Sequence, residues 1–266
     1  MRTLILASAL ATLSLSASAQ VPDTVFIEEL TWTEVRDAIK AGKTTVILPT
    51  GGTEQNGPHM VLGKHNFIIR YTSEQIARRL GNALVAPVVA YVPEGNLDPP
   101  SGHMRYPGAI TLPNEYFMKL LEYAARSFKV NGFKDIVFIG DSGGNQDGMK
   151  QVSEMLNKEW AGSGVRIHFV PEYYRGTGFA EWLMAQGEKK EDIGTHAGIT
   201  DTSQLLAVDA RHIRKDKLAD RGGFEGSGVS GNPTKASVAY GKKGLELKIE
   251  TTLKRLREMM ATSATR

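Results

Sequence analysis

The stretch TTVILPTGGTEQNGPHMVLGKH, residues 44–65, changes character halfway along its length. Residues 44–48 are a short β-branched and apolar run that ends at Pro49, and a glycine-rich polar segment follows. A short apolar run bounded by turn residues reads as a buried strand. The alternation continues downstream. Residues 67–80 have helical spacing and stop at Gly81, and residues 84–92 are a second apolar run. Pro113 opens a helix in which Phe117, Leu120, Leu121, Ala124 and Phe128 recur at helical spacing, and Asn131-Gly132 stops it. Residues 135–139 read as a third strand, 146–160 as a helix and 165–170 as a fourth strand. Strands alternating with helices predict an α/β fold, a mostly parallel central sheet with helices on both faces. No internal repeat and no long linker divides the chain, so residues 20–266 are expected to form a single domain.

Residues 1–19 stand apart from this pattern. Arg2 supplies a short positive region, residues 4–15 are apolar and uncharged, and Ala17-Ser18-Ala19 has the small-x-small form of a cleavage site. This reads as a secretory signal peptide, with the mature chain starting at Gln20 and a periplasmic or secreted destination. The alternative is an uncleaved N-terminal anchor. No other stretch approaches the ~20 apolar residues of a spanning helix, so no membrane span is expected after cleavage. Cysteine is absent, which excludes disulfides and thiolate metal sites. The formal charge is +3, with basic and acidic residues interspersed, which gives no nucleic-acid footprint.

Three glycine-rich segments, residues 50–65, 93–108 and 140–145, follow strand runs. Open α/β sheets bind ligands at the carboxyl ends of their strands. The first segment carries Glu54, Asn56, His59 and His65. The second carries His103 and Arg105, and the third Asp141, Ser142 and Asn145. Further on come His196-Ala197-Gly198, then Asp201-Thr202-Ser203, and late in the chain Gly231-Asn232-Pro233. His168 lies in a strand run and His212 in a charged segment, and both read as structural. Lys64, in a polar loop, reads as solvated.

In order and spacing these pieces resemble the creatininase (creatinine amidohydrolase) family, from about residue 45 to the C-terminus. The family patterns are G-S-T-E-Q-H-G-P-H-L with a later G-T-D, F-P-G-T-I-S-L, N-G-H-G-G-N, H-A-G-x-x-E-T-S and a late G-D-P. The resemblance implies a three-layer sandwich, hydrolysis of a C–N amide bond in a small cyclic or peptide-like substrate, and a homo-oligomer. It also implies a pair of divalent metals bound by the Glu and His of E-Q-H-G, the Asp of G-T-D and the His of N-G-H-G-G-N. Glu54 matches the first of these, but Asn56, His65 and Ser142 stand at the other three. A neutral amide and a hydroxyl are poor ligands, and an imidazole cannot bridge two ions as a carboxylate does. The expectation is therefore one Zn or Mn ion held by Glu54, His65 and Asp141. The resemblance implies proton transfer by His196, whose imidazole titrates near neutrality. Asp201 either orients it or binds a substrate amine. His103 and Arg105, with Asn145, are the expected substrate-binding residues; alternatively the first two fasten their loop.

Two other readings stay open. Gly140-Asp141-Ser142-Gly143-Gly144 fits the letters of a nucleophile elbow, with Ser142 as nucleophile and His196 as base, although the chain order of base and acid is not the usual one. An exported small-molecule-binding protein that kept the fold and lost catalysis also accounts for the missing ligands. A phosphate loop at residues 140–145 lacks the required Gly-Lys-Ser/Thr ending.

Overall fold

The computed structural model describes residues 22–218 and 224–264. The expected signal peptide and its cleavage site therefore lie outside the described residues. Four strands, β1 (Thr45–Thr50), β2 (Ala83–Val85), β3 (Asp135–Gly140) and β4 (Arg166–Phe169), form one sheet in the order β2-β1-β3-β4. Every pairing is parallel, with Val46 opposite Leu84 on one side and Ile136 on the other. The helices are α1 (Trp32–Lys40), α2 (Lys64–Leu80), α3 (Asn114–Asn131), α4 (Gln146–Glu159), α5 (Phe179–Ala185), α6 (Lys190–Ile193), α7 (Ile199–Asp209), α8 (Lys215–Leu218) and α9 (Val238–Ala264).

Successive side chains of a strand point to opposite faces, and the core divides accordingly. Val46, Leu48, Ile136 and Phe138 pack against Phe117 and Leu121 of α3 and Val152 and Leu156 of α4. Ile47, Val137 and Ile139 pack on the other face against Ile69 and Ile76 of α2 and Ile249, Leu253 and Leu256 of α9. The result is the expected α/β arrangement of helix, parallel sheet and helix. A smaller cluster of Met60, Ile68, Leu205 and Leu245 ties the loop after β1 to α2, α7 and α9. That cluster anchors the polar loops beyond the strand ends. Both predicted stops hold: α2 and α3 close on Gly81 and Gly132, each in the left-handed conformation that glycine adopts without steric cost.

Two strand boundaries differ from expectation. β1 does not end at Pro49 but continues to Thr50, with Pro49 opposite Ile139. Odd-numbered residues of β1 bond toward β2: Thr45 N–H donates to the Asn82 carbonyl, and the Ile47 carbonyl accepts from Ala86 N–H. β2 ends at Val85, before a donor from position 49 is needed. The expected strand over 84–92 is cut to three residues, because Pro87 cannot donate to the ladder. Beyond it the chain meets the sheet through Ala86 N–H on the Ile47 carbonyl and an isolated bridge of Thr50 with Val89, and Val92 bridges Thr111 outside the sheet.

Candidate active site

A cavity of about 770 Å³ opens at the carboxyl ends of the strands. The loop after β1 brings Glu54 to it, the loop after β2 brings Glu94 and His103, and the turn after β3 brings Asp141 and Ser142. Lys64 and His65 reach it from the first turn of α2, His196 from the turn before α7, Asp201 from the first turn of α7, and Lys248 from α9. The loops approach one another closely: a Cβ on Gly144 would lie 2.1 Å from the Pro93 carbonyl oxygen.

Six of these groups form a row of alternating charge. Asp201 Oδ2 accepts from Lys64 Nζ at 3.1 Å, and Lys64 Nζ reaches Glu54 Oε1 at 3.3 Å. Glu54 Oε1 meets His65 Nε2 at 2.8 Å, and His65 Nδ1 meets Asp141 Oδ2 at 2.7 Å. Lys248 Nζ closes the row on Asp141 Oδ1. Both ring nitrogens of His65 face carboxylate oxygens, and an imidazole satisfies two acceptors only as the doubly protonated cation. Burial opposes charge on His65, but Glu54 and Asp141 outweigh burial and Lys64, and its pKa is raised to about 9. Lys64 is fully buried, and its pKa is raised because Asp201, Glu54 and Asp141 outweigh desolvation. Asp141 is likewise held below the usual carboxylate range, the charges of Lys248 and His65 overcoming burial. A lysine in the first turn of a helix opposes the helix dipole, so Lys64 depends on these carboxylates for its place.

The other side of Glu54 is open. Its Oε2 lies 3.0 Å from His103 Nε2, and its Oε1 lies 3.7 Å from His196 Nδ1. The rings of His103 and His196 are 4.9 Å apart. His196 Nε2 is 2.9 Å from the Gln55 carbonyl, which fixes the proton there and leaves Nδ1 with its lone pair toward Glu54. Burial lowers the pKa of both His103 and His196, so neutral rings face the carboxylate. One ligand atom from each of Glu54, His103 and His196 falls within 4.8 Å of the others. That donor set fits one divalent ion. The ion and the His103–Glu54 hydrogen bond are alternatives, since the ion takes the place of the imidazole proton.

Asp201 Oδ2 also accepts from Ala197 N–H at 2.8 Å, and Ala197 sits at φ 54°, in the left-handed region. Asp201 therefore holds the turn that carries His196, acting through the backbone rather than on the ring. Glu94 is buried against Glu54; desolvation and the Glu54 charge push its pKa up to about 9.

Several expected roles are corrected by these contacts. Glu54, His65 and Asp141 do come together, but as an ion-paired row with both His65 nitrogens occupied, and His103 and His196 replace His65 and Asp141 in the donor set. Asn145 is fully buried and does not line the cavity; its amide donates to the Thr50 and Gly51 carbonyls and fastens β1 to the turn after β3. Arg105 is exposed and also does not line the cavity. Asn56, expected as a weakened ligand, donates to the carbonyls of Glu54 and Val61 and ties its loop together. Lys64 is not solvated. Ser142 lines the cavity; His65 is not free to serve it as a base, both ring nitrogens being held by Glu54 and Asp141, and of His196 only Nδ1 is uncommitted. Lys248 and Glu94 were not singled out from the sequence. A lysine among the core positions Leu245, Ile249 and Leu253 of a helix was the one available signal for Lys248.

A parallel three-layer fold with a carboxylate and histidine cluster at its strand ends defines a class of α/β proteins, and comparison narrows it. The creatininase family profile, described as creatinine amidohydrolase, matches residues 28–256. This chain belongs to the creatininase family. It is 26% identical over 204 residues to a mycofactocin precursor peptide peptidase of Mycolicibacterium smegmatis, covering 74% of this chain and 78% of that protein. It is 24% identical over 201 residues to a creatinine amidohydrolase of Pseudomonas putida, covering 74% and 76%. A solved structure titled "Creatininase Mn" superposes with a TM-score of 0.73 at 22% identity, over 89% of this chain and 99% of that one.

Proposed function

We propose that this protein hydrolyses a C–N amide bond in a small cyclic or peptide-like compound. The observation behind this reading is the convergence of Glu54, His103 and His196 on one point of the cavity. Relatives named as a peptide peptidase and a creatinine amidohydrolase support the bond class. Glu54, His103 and His196 would hold a single Zn or Mn ion, which supplies carbonyl polarisation and activation of a water when bound. His103 and His196 enter as neutral rings, the form that ligates. His196 Nδ1 is the one nitrogen of that ring left for the site. It is a ligand when an ion is present and a proton acceptor when none is, so the proton-transfer role implied by the family and the ligand role compete for it. Asp201 positions His196 through Ala197 N–H.

A second reading is favoured by one observation. Lys64, His65 and Lys248 pair with Glu54, Asp141 and Asp201, as suits a binding protein that retained the fold without catalysis. Elemental analysis of the purified mature chain, with and without added Zn and Mn, is paired with amide-hydrolysis assays on cyclic amides and short peptides before and after chelation. Turnover lost on chelation and restored by the ion supports the hydrolase with an ion. Turnover indifferent to chelation leaves His196 as base. Ligand binding without turnover of any amide tested supports the binder. We also propose export with a mature start at Gln20, and a homo-oligomer. Mass spectrometry of the periplasmic fraction and light scattering test these; an intact Met1 in that fraction counts against cleavage.

A further inference from the structure

Three carboxylates, Glu54, Asp141 and Asp201, line the cavity and are joined through Lys64 and His65. Such a cluster needs counter-charge, because like charges that close cannot all stay ionised without it. Here the chain's own cations stand between them. His65 spans Glu54 and Asp141 through its two nitrogens, at 2.8 and 2.7 Å. Lys64 spans Glu54 and Asp201, and Lys248 covers the remaining Asp141 oxygen. Three positive groups face three negative ones. Lys64, His65, Glu54, Asp141 and Lys248 are all buried, so the arrangement is part of the packed interior. No net negative charge remains there to hold a dication, and no nitrogen of His65 is left to bind one.

We propose that Lys64, His65 and Lys248 replace a divalent ion on the Asp141–Asp201 side of Glu54, so that each chain carries at most one ion, and that Lys64 is the fixed positive charge presented to a ligand oxygen. An ammonium has three donors, and among the described residues Lys64 has two acceptors, Glu54 and Asp201. The third serves a carbonyl or carboxylate oxygen in the cavity that Lys64 lines. The inference rests on the proposed hydrolase site only in sharing Glu54 with it.

The test is titration of the metal-free mature chain with Mn(II), read by bound metal and by electron paramagnetic resonance. The expected result is no more than one ion per chain with an uncoupled Mn(II) signal. Two ions per chain, or a spin-coupled signal, overturns the inference and leaves the hydrolase reading standing. A chain that binds no ion overturns the single-ion site of that reading and supports the inference. Lys64→Met removes the charge at nearly constant side-chain length, and Mn(II) affinity is expected to rise roughly tenfold or more, since the exposed carboxylates attract the ion. Unchanged affinity and stoichiometry in a folded Lys64→Met chain overturns the role of Lys64. If that variant does not fold, Lys248→Met puts the same question at Asp141, with the same two outcomes.

Discussion

Glu54 divides the site into two unlike halves. Toward Asp141 and Asp201 each carboxylate is met by a lysine or histidine of the chain, and all of that half but Asp201 is buried. Toward His103 and His196 the donors are neutral, partly exposed and spaced for a guest. The contrast separates two uses of a buried carboxylate cluster. One half spends its charge on holding the loops together; the other keeps donor atoms available.

The largest effect is expected where the halves meet. Glu54→Gln leaves Lys64 and His65 short of a counter-charge, and breaking a buried pair in this way costs about 3–5 kcal/mol. Thermal denaturation should show a large loss of stability, and metal titration should show no ion. Retention of both would mean that Glu54 does not link the halves. Within the closed half, Asp141→Asn and Lys248→Met should each destabilise by about 3 kcal/mol, while the double variant should lose much less than their sum. Additive losses in denaturant unfolding would remove the ion pair from the account.

The closed half should also be sensitive to alkali. His65 has a folded pKa of about 9 against an ordinary value of 6.5. A raised pKa contributes stability that is fully present below pH 6.5 and is lost as pH rises through 9. Melting temperature should therefore fall across that window, and His65→Gln should be less stable but flatter. The smallest effects should separate two residues first expected to share a role. Asn145→Ala strands the Gly51 carbonyl, while the Thr50 carbonyl keeps the Asp141 N–H, and costs about 1–3 kcal/mol. Arg105→Ala should stay within about 0.5 kcal/mol and leave ligand affinity unchanged in calorimetry. A strong loss of affinity in Arg105→Ala would return that residue to the site.

The two halves were unequally legible in the sequence. β1 and β3 are runs buried on both faces, so composition alone marks them, whereas Pro87 hides inside the apolar run that was read as one long strand. α9 escaped the reading although Leu245, Ile249, Leu253 and Leu256 recur at helical spacing, because charged residues and Gly241 and Gly244 dilute its pattern. Glu54, His103 and His196 lie in loops whose residue types announce chemistry. The closed half did not announce itself. Lys64 meets Asp201 across 137 positions, and Lys248 meets Asp141 across 107. A lysine acquires its meaning there only when the fold brings its partner, and nothing local distinguishes it from a solvated one. The same distance explains why His65 read as a ligand: its two neighbours are right for an ion, but the sequence does not reveal that its second nitrogen is already taken.

Ala197 is a non-glycine residue in the left-handed region, a conformation that costs about 1–3 kcal/mol and persists only under constraint. The constraint includes the Asp201 carboxylate on its N–H, with Lys64 in turn holding Asp201, and the Thr202 hydroxyl on its carbonyl. His196 itself is bridged to Ser230 through its backbone and held on the Gln55 carbonyl through its ring, so a guest meets an imidazole whose place was settled when the chain folded.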